Sequence, residues 1–376
     1  MAVHDVCVRG SGAVALAAAL ALARLGLRVA LTGPQARPAT ADVRAYALNA
    51  ASVALLGQLK VWDLLPGDAR TPVYDMRIAG DAPAGLLEFS AWSQGVDQLA
   101  WIVDAAELEA GLAAAVRYAP HVRQVSDADV DAELQVVAEG RDSATRGRLG
   151  ASMTVHRYGH SAVATRLVSD RPHAGTAWQW FRSPDVLALL PFDRPAVGRS
   201  FALVWSMPER RAQELAAAGQ SEFESALAQA TGEAAGRLEA AGQRVVWPLT
   251  LARADSVCGP GWVLVGDAAH RVHPLAGQGL NLGLADVAEL ARVLASRESW
   301  RRLGDERLLR RHARARRGPT LAMEAVTDGL LQLFAHPHPA VMELRNRGMS
   351  LVNQFSPLKR LLAGQAIDAT TPRAMP

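Results

Sequence analysis

Over the first thirty or so residues, apolar and polar positions fall in the order strand, turn, helix, strand: HDVCVRG, SGAV, ALAAALALARLG and LRVALTG. A short apolar stretch stopped by glycine predicts a strand, and the longer run closed by Gly26 predicts a helix ending there. From Asp42 to Leu65 apolar residues recur every three or four positions, which predicts helix. Residues 72–103 read as short strands with turns at Gly80-Asp81 and Ala82-Pro83. Residues 105–119 read as helix, and AELQVVAEG reads as strand.

From about Tyr158 to Pro248 the pattern changes. SAVATRLV, TAWQWF, DVLALLPF and SFALVWSM succeed one another as in an antiparallel sheet, and one helix near Glu209–Ala240 interrupts them. GWVLVGDAAH then restores a buried strand, and the rest of the chain is mostly helical. The fold class expected is therefore α/β: a Rossmann-like nucleotide-binding domain, an inserted antiparallel-sheet domain and a helical C-terminal region. The boundaries expected are 1–71, 101–157 and 249–300 for the discontinuous nucleotide-binding domain. The substrate-binding sheet would take 72–100 and 158–248, and the C-terminal helices 301–376. No internal repeat disturbs this division.

Composition narrows the function only a little. A chain of 376 residues, half of them hydrophobic, can bury a large core. The net charge of +3 is too small to argue for nucleic acid, though it is compatible with loose attraction to an anionic membrane surface. Two cysteines, Cys7 and Cys258, give no metal-ligand spacing and no disulfide framework, which fits a reducing, cytoplasmic setting. The apolar run Ala13–Ala23 lacks a basic flank, follows a glycine turn and is too short to span a bilayer, so it reads as a buried helix.

Two motifs carry the chemistry. Gly10, Gly12 and Ala15 fit the phosphate-binding turn G-x-G-x-x-G/A. Gly10 permits the tight turn, Gly12 lets a pyrophosphate approach the backbone, and Ala15 keeps helix and strand close. A glycine turn before an ordinary helix is the plainer reading. The stretch VLVGDAAHRVHPLAGQGLNLGLAD, Val263 to Asp286, is more specific. Asp267 follows an apolar strand and is placed to accept hydrogen bonds from ribityl or ribose hydroxyls. Pro274 to Gly279 form a turn free of bulky side chains. The helix expected from about Gln278 points its N-terminal dipole at whatever lies there, and its residues Leu280, Leu284, Val287, Leu290 and Leu294 share one inward face.

GDAAHRVHPLAGQGLNLG resembles the second FAD motif of the ubiquinone-biosynthesis hydroxylases, which belong to the flavin-dependent aromatic monooxygenases of the para-hydroxybenzoate-hydroxylase fold. RAYALNAASVALLGQLKVWDLL, LAWIVDAAELEAGL, AEGRDSATR, YGHSAVATRLVSDRPHAGTAWQWF and LRNRGMSLVNQFSPLKRLL resemble family segments in the same order. The resemblance runs from about residue 3 to residue 365. It implies FAD as cofactor and hydroxylation of the aromatic ring of a polyprenylated phenol or quinone precursor through a flavin hydroperoxide. It implies a lipophilic aromatic substrate, NAD(P)H or a ferredoxin-like electron donor, and a cytoplasmic protein peripheral to the inner membrane face or held in a biosynthetic complex. A degraded-site accessory protein binding a lipid quinone, or a hydroxylase of a small soluble aromatic, are the other readings.

Carried over residue by residue, the resemblance places Gly10, Gly12 and Ala15 at the pyrophosphate, with Arg44 reaching it from the following helix. Asp267 would meet the ribityl and phosphate region. Gly277, Gln278, Gly279, Leu280 and Asn281 would face the isoalloxazine, Pro274 and Leu275 would border the oxygen site, and the strand around Gln179 would lie nearest the ring. Four departures stand out. After the second strand the chain reads Leu31-Thr32-Gly33-Pro34, without the acid that grips an adenosine ribose. The third fingerprint position is alanine. The usual Asp-Gly pair is Glu139-Gly140. Glu109 replaces a frequent glutamine, bringing a negative charge near the cofactor. Losing the ribose acid would cost about 1–3 kcal/mol, or roughly ten- to a hundredfold in affinity.

His270 and His273, three apart, read as orienting hydrogen-bond partners rather than metal ligands, for want of a third ligand. His173 reads either as a pocket acid or base or as a turn histidine. Trp178 and Trp180 share one face of a strand, and RRHARARR, 310–317, reads as a solvated helix face.

Overall fold

Six strands build the sheet that carries the first motif. They are β1 (His4–Arg9), β2 (Val29–Thr32), β8 (Val122–Val125), β9 (Ala132–Val137), β16 (Cys258–Gly259) and β17 (Trp262–Leu264). All neighbouring pairs are parallel except β16 with β17. The computed structural model describes residues 4–34, 42–80, 86–126, 130–271 and 279–335. Parallel strands covered on both faces are apolar throughout, and Val6, Cys7 and Val8 are fully buried. The first crossover is α1 (Ala13–Ala23), buried at every position but Val14. It can be apolar all round because α4 (Ala105–Arg117) and α8 (Gly279–Ala295) pack against it. Gly26 ends this crossover in a left-handed conformation, φ +79°.

A second, nine-stranded sheet holds the inserted segment. β5 (Asp75–Ala79), β6 (Leu86–Ser90), β10 (Met153–Ser169), β11 (Thr176–Arg182), β12 (Asp185–Phe192), β13 (Ser200–Pro208), β15 (Val245–Ala254) and β18 (His270–Arg271) follow the order β18-β15-β10-β13-β12-β11-β5-β6. β14 (Leu238–Ala240) pairs with β10. β10 begins beside β15 near the first sheet's last strands and runs on through residue 157 into the insert. A short α3 (Ala91–Gln94) follows β6, and α5 (Ala144–Arg148) leads into β10.

Two stretches differ from their sequence pattern. Residues 42–65 are not one helix: β3 (Ala45–Leu48) comes first, then α2 (Ala50–Gln58) and a 3-10 turn at Trp62–Leu64. β3, β7 (Ala100–Asp104) and β4 (Arg70–Val73) form a small antiparallel sheet. The ladder to β7 overrides the helical spacing, and Asn49 then starts α2 by accepting the Ser52 N–H at 2.9 Å. Residues 209–240 hold two helices, α6 (Glu209–Ala217) and α7 (Gln220–Thr231), followed by β14. Ala218-Gly219 leaves the helical region between them, and Gly232 closes α7 at φ +59°.

The two faces of the large sheet have different tasks. Trp180, Leu187, Leu189, Leu203 and Trp205 pack under Leu215 of α6 and Phe223 and Leu227 of α7. Trp178 and Trp180 stack in parallel, ring centroids 5.5 Å apart, on that side. The opposite face packs Ala177, Leu190, Phe192 and Ala202 against Val73 and Ile102 of the small sheet. From this face Arg166 reaches across to the Arg44 carbonyl at 2.8 Å and the Asp104 carboxylate at 3.2 Å, over the Phe192 ring. It therefore looks toward the parallel-sheet unit. α9 (Glu306–Ala335) lies against α8 and β16. Among the described residues no helix is long and apolar enough to cross a membrane.

Candidate functional site

The glycine turn sits where strand order reverses, with β2 and β8 on one side of β1 and β9 and β17 on the other. Open parallel sheets bind ligands at such points. Gly10 has φ +136°, and a Cβ there would lie 2.3 Å from the Ala138 carbonyl oxygen at the end of β9. Only glycine fits. Gly12 precedes α1, and among the described residues no side chain caps that helix and none would lie within 4 Å of a Cβ on Gly12. The first-turn N–H groups and the positive end of the helix are thus presented at an approachable backbone, as an anion requires. Ala15 is fully buried against Gly10.

Arg44 is not on a helix. It immediately precedes β3, where the Ala45–Leu48 ladder holds the chain extended. Its guanidinium bonds to Asp42 at 2.6–3.0 Å, to Glu109 of α4 at 3.3 Å and to the Tyr46 hydroxyl at 3.2 Å. The Tyr46 hydroxyl donates to Glu109 at 3.4 Å. Burial chiefly, and the two acids besides, push the Tyr46 phenol above its usual value. Burial works against the Asp42 carboxylate, but Arg44 holds it below the usual range. Asp42 and Tyr46 are members of this cluster that the sequence reading did not single out. The D-x-R-x-Y spacing in Asp42-Val43-Arg44-Ala45-Tyr46 was the available signal, since alternate strand positions share a face.

The second motif folds as a 3-10 turn at Gly266–Ala268 between β17 and β18. The Asp267 side chain is exposed, yet desolvation pushes its carboxyl above the usual range against the pull of His270, Arg271 and Arg141. Behind it, α1 and α8 come close: a Cβ on Gly283 would lie 2.6 Å from a Val14 methyl and 3.3 Å from the Gly266 Cα. The inward residues Leu280, Leu284, Val287, Leu290 and Leu294 are all buried.

Asp286 closes the motif from beneath. One carboxylate oxygen accepts from the Gly266 N–H at 2.9 Å and pairs with His270 Nε2 at 2.7 Å. The other accepts from Arg316 Nε of α9 at 2.7 Å. Burial opposes ionisation of Asp286, but His270 and Arg316 hold its carboxyl far below the usual range. For His270 burial disfavours the cation, and Asp286 outweighs it and raises the imidazole. His270 is thus an orienting partner; among the described residues no cluster of three or more His, Cys, Asp or Glu side chains could hold a metal. The run 310–317, which reads from the sequence as a solvated helix face, is not one throughout: His312 and Arg316 are buried on α9, because Arg316 turns inward to pair with Asp286, a partner thirty residues away that no sequence spacing reveals.

The remaining expected residues are distributed as follows. Pro274, Leu275, Gly277 and Gln278, with His273, lie outside the described residues. Gly279 and Leu280 open α8. The Asn281 side chain is buried and turned to the small sheet: it donates to the Ala47 carbonyl at 2.7 Å and accepts from Ser52 Oγ at 2.7 Å and Asn49 N at 3.1 Å. Glu139 reaches Thr145 N, Thr145 Oγ1 and Ser143 Oγ at 2.6–3.0 Å and so caps α5. Arg146 of α5 donates to the Ala268 carbonyl at 3.3 Å, linking that cap to the second motif. His173 is buried rather than at the surface: its Nδ1 accepts the Gly175 N–H at 3.0 Å and its Nε2 faces Asp193 at 3.3 Å.

Gln179 lies in a cross-strand row on the inner face of the large sheet. Register places Leu87, Ile78, Gln179, Ala188, Val204, Ala164 and Val245 side by side. Gln179 is the one polar residue in that row, and Ile78, Val204 and Val245 beside it are only half-buried.

A parallel sheet with a glycine turn opening α1 at its switch point, a second turn at Gly266–Ala268 and a large antiparallel sheet beside them are the architecture of the FAD-dependent monooxygenases. The p-nitrophenol 4-monooxygenase PnpA of Pseudomonas putida shares this fold, with a TM-score of 0.77 over 99% of both chains at 17% identity. A family model described as FAD binding domain matches residues 97–326. The ubiquinone hydroxylase UbiL of Rhodospirillum rubrum is 32% identical over 97% of this chain and 90% of its own length. The 3-demethoxyubiquinol 3-hydroxylase of Escherichia coli is 28% identical over 95% of this chain and 96% of its own. The chain belongs to this family of FAD-dependent hydroxylases, and its cofactor is FAD.

Proposed function

We propose that this protein hydroxylates the aromatic ring of a polyprenylated phenol or quinone precursor in ubiquinone biosynthesis. The observation that carries the reading is the inner row of the large sheet. Its six apolar residues, from Leu87 to Val245, give a surface suited to a lipophilic chain. The relatives named for ubiquinone hydroxylation span nearly the whole chain, which favours this substrate class over a small soluble aromatic.

In this reading the N–H groups after Gly12 hold the FAD pyrophosphate, with Gly10 and Ala15 shaping the turn and Arg44 supplying positive charge. Asp267 accepts hydrogen bonds from the ribityl or ribose hydroxyls. Gly277 to Asn281 border the flavin ring through backbone, Pro274 and Leu275 border the oxygen site, and Gln179 orients the substrate. Bound flavin, once reduced, supplies the activation of dioxygen. The chain's own residues orient the ring and exclude water, which keeps the oxygen for transfer rather than release. The cofactor unit comprises 1–71, 101–157 and 249–300, with 72–100 and 158–248 as substrate unit and 301–376 as C-terminal region. The electron donor is NAD(P)H or a ferredoxin-like protein, and the protein works in the cytoplasm, peripheral to the inner membrane face.

The test is aerobic turnover of FAD-loaded protein with a prenylated phenol and a reductant, followed by mass spectrometry. The expected result is substrate-stimulated oxygen uptake with a product heavier by one oxygen atom. Oxygen uptake without hydroxylated product from any prenylphenol offered would overturn the assignment.

A further inference from the structure

Glu109 and Arg44 lie on the cofactor edge of the parallel sheet. α4 enters β8 after a four-residue connection, and β8 runs parallel to β2 and β1. Its C-terminus is therefore at the start of those strands and its N-terminus at their carboxyl ends, where Gly10 and Gly12 begin α1. The two helices pack against each other. Glu109, in the second turn of α4, consequently stands on the same edge as the phosphate cradle. Arg44 joins that corner through its carbonyl, which accepts the Ala105 N–H at 3.3 Å.

The charge balance at this corner is unusual for a phosphate site. Arg44 is still 43% exposed, but its guanidinium is already engaged by two carboxylates, Asp42 at 2.6 Å and Glu109 at 3.3 Å. Asp42 is the tighter and more buried partner, so it fixes the arginine's position. Glu109 is the looser one, 24% exposed; it shares Nη2 with Asp42, while the Tyr46 hydroxyl takes Nη1. A carboxylate there competes with any anion approaching Arg44 and repels it besides.

We propose that Glu109 is an internal competitor for the cofactor's pyrophosphate at Arg44, and that it keeps FAD weakly held and exchangeable in this protein. The inference rests on the FAD-dependent reading above, and goes beyond it by assigning one residue the control of cofactor retention. Binding would exchange one anion for another on the same guanidinium, with Asp42 and Tyr46 holding the arginine in place during the exchange.

The experiment is titration of FAD into the flavin-free full-length protein, followed by quenching of flavin fluorescence, for wild type, Glu109→Gln, Arg44→Ala and the double variant. Glu109→Gln keeps the side chain's size and its bond to Tyr46, and the expected result is a Kd lower by ~5–10-fold. In the Arg44→Ala background the same change should have little effect, because the competition runs through that guanidinium. Glu107→Gln, which removes a charge from the same helix where Glu107 pairs with Arg194 at 2.8 Å, should leave the Kd unchanged. Unchanged or weaker binding by Glu109→Gln would overturn the proposal, as would an equal gain with Arg44 absent. Either failure with the wild type still binding FAD leaves the hydroxylase reading intact; no FAD uptake by any variant would sink that reading instead.

Discussion

Arg316 of α9 donates its Nε to the Asp286 carboxylate of α8 at 2.7 Å, and both side chains are more than nine-tenths buried. The same carboxylate carries the Gly266 N–H and His270. Asp286 thus fastens the second cofactor motif to two helices through one group. Removing one partner of a buried ion pair strands the other, which typically costs about 3–5 kcal/mol. Asp286→Asn should lower stability by an amount in that range in urea unfolding, and release bound FAD before global unfolding begins. A loss below about 1 kcal/mol would show that His270 and Arg316 re-pair without it.

His312 sits in the same buried layer, one turn before Arg316, and desolvation depresses its imidazole to about 4. A histidine neutral in the fold and basic in the unfolded chain destabilises the protein as pH falls from the unfolded value toward the folded one. Its share of the loss between about pH 6.5 and about pH 4 is roughly 3 kcal/mol. His270, raised by Asp286, acts in the opposite sense and elsewhere: its stabilisation is complete below about pH 6.5 and is lost as pH rises through its folded value. His312→Gln should therefore flatten the acid limb of stability against pH relative to wild type, as followed by denaturant midpoints. Parallel acid limbs for the two proteins would place the titration on another group.

The residues that were legible in the sequence are those whose role is backbone geometry. Turn chemistry and helical period lead to Gly10 in a tight turn, Ala15 packed beside it, Gly26 closing the first crossover and the apolar residues of α8 turned inward, and the backbone and burial have that form. What stayed hidden depended on partners far along the chain. Ala45–Leu48 carries a helical spacing, and only its ladder with β7 makes it a strand. Arg44 matches a motif, but its neighbours Asp42 and Glu109 decide whether it is free. His173 looks like a surface turn residue until Asp193 and Gly175 come to meet it.

Gly10 and Gly12 are separable by experiment. At Gly10 a methyl group collides with the Ala138 carbonyl, and φ is +136°. Gly10→Ala should therefore be destabilised whether or not FAD is present. At Gly12 a methyl group meets no atom of the described residues within 4 Å, and φ of −82° suits alanine. Gly12→Ala should keep the thermal midpoint of the flavin-free protein within a few degrees, yet weaken FAD binding roughly tenfold or more, about 1.4 kcal/mol. Equal FAD affinity in Gly12→Ala and wild type would remove the pyrophosphate from this turn.

The inner row of the large sheet makes a prediction about substrate rather than cofactor. Val204 is half-buried, next to Ala188 and Ala164, and its neighbours on the opposite face of β13, Leu203 and Trp205, carry the packing under α6 and α7. A larger side chain at 204 would project from the inner face without disturbing that packing. Val204→Trp should bind FAD as wild type does, while kcat/KM for a long prenylphenol falls about a hundredfold, the scale of a misplaced reacting ring. A short, unprenylated phenol should lose less, because it does not need the row's full length. If both substrates suffer alike, the row positions the ring itself, and the lipid chain lies elsewhere.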